Sequence, residues 1–191
     1  MNENILFAGM YRGVYVSVDR GASWSLFGEG LPAAAVADLV IQEREMDLVA
    51  GTHGRGIYRT NLEPLHDAFR DGPPQNDVLF ETPTARLPWI NDTHGDPRYS
   101  TMEKVSITFY LLEDSRVTVS VVDQRGQNAW SIEHDGRKGL NQVRWDLVSE
   151  RVEGQDAYFW RRLRFARAGT YTLRVTGERV DLTGQLTIVD R

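Results

Sequence analysis

Along its first sixty residues the chain alternates short apolar runs with glycine and polar turns: "NILFAGM", "GVYVSVD", "SWSLFG", "VADLVIQ", "MDLVAGT" and "RGIYRTN". Runs this short, rich in β-branched and aromatic residues and spaced about 8 to 12 residues apart, predict strands of an all-β fold. From Asn61 to about Ser100 the pattern collapses into "EPLHDAFRDGPPQND" and "LPWINDTHGDPRYS", with "DVLFETP" as the one strand-like island. Proline, aspartate and glycine at that density predict a linker that packs on its neighbours.

Alternation returns at Val105. "SITFYLL" places Ile107, Phe109 and Leu111 on one face, "VTVSVVD" does so with Val117, Val119 and Val121, and "YTLRVTG" with Tyr171, Leu173 and Val175. These runs, with "NQVRWDL" and "GQLTIVD", are separated by "DQRGQ", "HDGRKG" and "RAGT", turns in which glycine supplies positive φ. A small antiparallel sandwich over residues 101–191 fits this pattern.

The first half also repeats itself. "LFAGMYRGVY" returns as "LVAGTHGRGIY", Gly9 recurring at Gly51 and Gly13 at Gly56, with one residue inserted between. A period of about 40 to 45 residues carrying four strands is that of a β-propeller blade. Residues 1–62 hold fewer than two such periods, and residues 63–100 form the linker.

Between the second and third runs, Ser17, Asp19, Gly21, Ser23 and Trp24 spell S-x-D-x-G-x-S-W across a strand-turn-strand. Asp19 can accept hydrogen bonds from the turn's own amides, Gly21 can take the left-handed conformation, and Trp24 can pack back over the hairpin. A carboxylate so engaged has its charged form stabilised and makes a poor acid, so the motif reads as a folding device.

This octet, with "ILFAGMYRGVY" before it and "DLVAGTHGRGIY" after it, resembles the Asp-box of BNR-repeat propellers, the blade shared by sialidases, xyloglucanase-type glycosidases and sortilin's luminal domain. The resemblance implies that residues 4–27 supply strands two to four of one blade and residues 35–60 strands one to three of the next. The second half, through G-x-N-x-x-x-W-D from Gly139 to Asp146 and A-G-T-Y from Ala168 to Tyr171, resembles the Ig-like domain of flagellar hook-capping proteins (FlgD-like). Together they imply an all-β chain: a partial β-propeller of about one and a half blades closed by an Asp-box hairpin, then an Ig-like antiparallel β-sandwich. Both halves in this order resemble the C-terminal part of long bacterial propeller proteins of glycosyl-hydrolase or sortilin-like type. A closed propeller needs many more strands, so the expectation is a non-catalytic C-terminal segment of an exported protein, secreted or periplasmic, whose partners are the missing blades or a second copy. The alternative is a stand-alone glycan- or protein-binding module.

Candidate binding residues are few. His53 and Arg55 sit in "GTHGRG" at a strand end, where propellers place functional loops. "YFWRRLRFAR" sets Tyr158 and Trp160 beside Arg161 and Arg162, an aromatic-arginine combination able to stack on sugar rings. No pattern pairs two carboxylates as glycoside hydrolysis requires. "NDTHGDPRYSTME" mimics a calcium loop through Asp92, His94, Asp96 and Glu103, but Pro97 stands where the EF-hand needs glycine. No metal or cofactor is expected, and phosphate-loop, dinucleotide, zincin and serine-hydrolase motifs are absent. A net charge of -5 disfavours nucleic acid, and zero cysteines exclude thiolate chemistry. No apolar run is long enough for a membrane helix, and "MNENILFAGM" lacks a signal-peptide pattern.

Overall fold

The computed structural model describes residues 3–27, 34–87, 105–151 and 163–190. The described chain is mostly β-structure and divides into two compact units. The first comprises Met1–Phe80, Thr108–Asp114 and Arg137–Gln142; the second comprises Glu81–Ile107, Ser115–Gly136 and Val143–Arg191.

In the first unit, β1 (Leu6–Met10), β2 (Gly13–Ser17) and β3 (Ser25–Phe27) form one antiparallel sheet. The strands β4 (Val36–Gln42), β5 (Asp47–Thr52) and β6 (Gly56–Asn61) form a second. Each of the six apolar runs is therefore a strand, and the turns β1–β2, β2–β3, β4–β5 and β5–β6 each join neighbours in one sheet. The repeat is also a repeat of register: Gly9 faces Val14 and Ala8 faces Tyr15 across the first hairpin, as Gly51 faces Ile57 and Ala50 faces Tyr58 across the second.

The two sheets meet through unlike faces. Val14 of the first sheet clusters with Leu48 and Ala50 of the second and with Leu62 just after it, all nearly inaccessible. On that same face of β1, a Cβ added at Gly9 would lie 2.8 Å from Val36 Cγ1 and 3.5 Å from Leu39 Cδ1. The missing side chain is what admits Val36.

A second cluster holds Ile5, Val16, Val18 and Phe80 together with Leu65 and Phe69 from the segment after β6. That segment, expected as linker, begins with α1 (Glu63–Ala68), started by proline in its first turn and an Asn61 Oδ1 bond from the Glu63 amide. Six residues are too few for a 3.6-residue period to be visible in the sequence. Further along lie β7 (Val78–Leu79) and β8 (Ala85–Arg86). Tyr110, edge-on to Phe69 at 5.4 Å, and Leu140 complete this cluster.

The next strands are β9 (Val105–Leu111), β10 (Ser115–Val122), β11 (Asn128–Gly136) and β12 (Gly139–Trp145). They are followed by β13 (Val148–Arg151), β14 (Leu163–Phe165), β15 (Gly169–Gly177) and β16 (Asp181–Val189). A five-stranded sheet runs β11-β10-β15-β16-β8, antiparallel except for the parallel β8–β16 pair. Val119 pairs with Val175 and Val121 with Leu173, and all four are buried, as the alternation of each run predicts. Strand β9, in the sheet β12-β9-β7, departs from simple alternation: Ser106 and Tyr110 are buried along with Ile107, Phe109 and Leu111. Trp145 is fully buried, stacked on Trp130 at 5.7 Å, with its indole N–H given to the Val148 carbonyl at 2.9 Å.

Two substitutions separate the repeats. Gly9→Ala must displace a stiff valine and is expected to cost about 1–3 kcal/mol. Gly51→Ala meets nothing nearer than Asp38 at 3.9 Å and should change stability by less than about 0.5 kcal/mol. Urea unfolding of the two variants measures the difference.

Candidate functional site

Three groups of residues merit a chemical test: the Ser17–Trp24 turn, the hairpin ends carrying His53 and Arg55, and the aromatic-arginine stretch. The last, with Tyr158, Trp160, Arg161 and Arg162, lies outside the described residues, as does the mimic of a calcium loop at residues 91–103.

The Ser17–Trp24 turn is closed by its own side chains. Ser17, almost fully buried, donates its hydroxyl to Asp19 Oδ1 at 2.7 Å, while its Oγ accepts the Gly21 amide at 2.7 Å. Asp19 Oδ1 also accepts the Ser23 amide at 2.8 Å, and Oδ2 accepts the Ser23 hydroxyl at 2.5 Å. Gly21 has φ +91° and Arg20 has φ +59°, so two successive residues take left-handed backbone to make the turn. Arg20 is held there by Asn4, its amide bonding the Asn4 carbonyl at 3.1 Å and its guanidinium the Asn4 Oδ1 at 2.6 Å.

Burial pushes the Asp19 carboxyl up, but the Ser23 hydroxyl and amide and the Ser17 hydroxyl outweigh it, and the group sits below its ordinary value. Burial, with the Asp19 charge as the lesser cause, pushes the Tyr110 phenol up. Both oxygens of Asp19 are engaged and its anion is favoured, so it is suited to hold a turn and unsuited to give up a proton. The Gly21 amide goes to Ser17 and the Ser23 amide to Asp19, so the two side chains share the turn. One expectation needs amending. Trp24, expected to pack over the hairpin, is 44% exposed, its Cζ2 lying 3.9 Å from where a Gly21 Cβ would stand.

The motif G-x-N-x-x-x-W-D is spent in the same way. Asn141, buried, donates to the Arg137 and Gly139 carbonyls and accepts the Arg137 amide. Asp114 accepts the Lys138 amide at 2.8 Å and the Arg137 guanidinium at 3.0 Å; those bonds, the amide first, hold its carboxyl below its ordinary value. The Tyr171 hydroxyl of A-G-T-Y donates to the Arg167 carbonyl at 2.8 Å and accepts the Arg167 amide at 3.1 Å.

The hairpin ends are different. His53 and Arg55 are exposed in a three-residue turn between Thr52 and Gly56, with the Thr52 hydroxyl on the Gly56 carbonyl and the Tyr58 hydroxyl on the Arg55 carbonyl. The repeat places Tyr11 and Arg12 at the equivalent turn, and Tyr11 is 89% exposed. Because Gly9 abuts Val36 and Val36 pairs with Thr52, both turns lie at one end of the stacked sheets. Arg12 and Arg55 form no ion pair among the described residues. Tyr11 and Arg12 were not singled out from sequence, although the repeat itself pointed to them. The arrangement can bind an anionic or planar group; it offers no paired acid and nucleophile.

Among the described residues no three His, Asp or Glu side chains gather as metal ligands, and no helix is long and apolar enough to cross a membrane. A small pocket between Ile5, Phe7, Met46, Leu62, Leu65 and His66 is apolar apart from the imidazole.

Ser17→Ala removes a buried hydroxyl that bonds Asp19 and the Gly21 amide and is expected to cost about 1–3 kcal/mol, whereas Trp24→Ala, at an exposed site, should cost less than about 1 kcal/mol. Trp145→Ala should cost about 3–5 kcal/mol. The lowered Asp19 and Asp114 carboxyls stabilise the fold above their unfolded values near about pH 4, and that stability is lost as pH falls through the lower folded values. Thermal melts from neutral to acid pH should therefore show a smaller acid-induced drop for Asp19→Asn than for the parent chain.

No family model matches the chain, and no curated protein matches its sequence.

Proposed function

We propose that the chain is a non-catalytic segment of an exported BNR/Asp-box propeller protein of glycosyl-hydrolase or sortilin-like type, with an Ig-like module serving as structural or docking domain. The observation that carries this reading is the Ser17–Trp24 turn, whose carboxylate and hydroxyls all serve the turn's own backbone and side chains. Two repeats with matching hairpin register, each a three-stranded sheet stacked on the other, fit consecutive blades that lack a strand apiece. The Trp145 and Tyr171 anchors in a β-rich second unit fit an Ig-like module.

The second reading, a stand-alone glycan- or protein-binding module, draws on the exposed Tyr11, Arg12, His53 and Arg55 at one end of the sheets. Aryl-glycoside turnover assays and a glycan array on the whole chain distinguish the readings. The first predicts no hydrolysis and no array signal above background. Array binding lost in an Arg12→Ala, Arg55→Ala double variant would favour the second, and hydrolysis abolished by a carboxylate substitution would contradict both.

A further inference from the structure

The hairpin β1–β2 recurs as β5–β6, so its residues have counterparts 42 positions on before the inserted residue and 43 after it, while β3 and β4 each belong to one sheet only. The contact between the two sheets is not symmetric in those terms. The first sheet contributes Gly9 and Val14, whose counterparts are Gly51 and Ile57; the second contributes Leu48 and Ala50, whose counterparts are Leu6 and Ala8. Those counterparts point the other way, because successive residues of a strand alternate between faces. The outer face of the β5–β6 hairpin therefore repeats the inner face of β1–β2, and the outer face of β1–β2 repeats the inner face of β5–β6.

Both outer faces are accessible. Ile57 is 78% exposed and Val40, on the same face one pair of residues along the strand, 53%, while Leu6 and Met10 on the outer face of the first sheet are 40% and 54% exposed. At Gly51 an added Cβ would touch only Asp38 of its own sheet, where at Gly9 it would meet Val36 of the other. The distribution of charge sharpens the match. Val16 and Ile5, which pack under α1 rather than under the second sheet, have Arg59 and Asp47 as counterparts, and these form a 3.1 Å ion pair. The outer face of the second sheet thus carries Ile57 and Val40 beside Asp38, with the Arg59–Asp47 pair where the first repeat is covered by other elements.

We propose that this chain associates head to tail with a second copy of itself, the Val40/Ile57 face of one seated on the Leu6/Ala8/Met10 face of the next. The inference deepens, and rests on, the reading of residues 1–62 as consecutive stacking repeats. An unlike-face contact of this kind does not close at a dimer; it grows into a ring or an open array, and it covers apolar surface that a soluble monomer rarely leaves bare.

The test is sedimentation velocity over a range of concentrations for the parent chain, Ile57→Glu, Met10→Glu, and an equimolar mixture of the two variants. The parent should form species beyond the dimer as concentration rises, and each variant alone should stay monomeric, since every copy lacks one of the two faces. The mixture should recover a dimer and stop there, because each pair retains one intact face of each kind. Val40→Glu and Leu6→Glu repeat the experiment should either first variant fail to give the parent's circular dichroism spectrum. A parent that stays monomeric, a variant that associates as the parent does, or a mixture that recovers nothing would each overturn the proposal. None of these outcomes bears on hydrolysis or glycan binding, so a failure here is distinct from a failure of the functional reading.

Discussion

The first unit depends on a side chain that is not there. Gly9 leaves room for Val36 to come within 2.8 Å of where its Cβ would stand, and this lets the two repeat sheets close over Val14, Leu48, Ala50 and Leu62. Interiors pack at crystal-like density, so an added methyl must move a β-branched neighbour whose rotamers are few. The contact joins unlike faces of sheets built on equivalent hairpins. From that asymmetry follow the two exposed apolar faces, and with them the expectation that the chain meets further copies of its own repeat.

The motif that drew first attention does no chemistry in this account. A general acid needs a carboxyl that holds its proton near neutral pH and points at a substrate. Asp19 has the opposite arrangement: its anion is favoured and its oxygens face Ser17 and Ser23. The same economy recurs where Asn141 and Asp114 fix the turn after β11 and where Tyr171 buckles the Arg167 loop. Side chains with polar reach are spent on backbone amides, a use that favours short strands and tight turns over an active centre.

Much of the fold was legible because strands of alternating polarity need only local information. The six N-terminal runs, and Val117, Val119 and Val121 against Leu173 and Val175, appear as the alternation dictates. What escaped was set by tertiary contacts. Strand β11 carries charged residues on an exposed strand, and α1 is too short to show a period. Tyr110 is buried because Phe69 arrives from the segment expected as linker. At the Ser17–Trp24 turn the sequence named the residues, but the burial of the Ser17 hydroxyl against the Gly21 amide and the exposure of Trp24 are set by packing. The equivalence of Tyr11 and Arg12 with His53 and Arg55 was present in the repeat, yet exposure is a property of the packed sheets and not of the string.

The absence of native cysteine makes the central claim directly measurable. Ile57→Cys and Ala8→Cys chains, distinguishable by mass, are mixed in equal amounts under mild oxidation and the disulfide-linked species are counted. Unlike-face stacking predicts that the mixed 57-to-8 dimer dominates over both homodimers. A population dominated by 57-to-57 or 8-to-8 dimers, or one in purely statistical proportion, would contradict it.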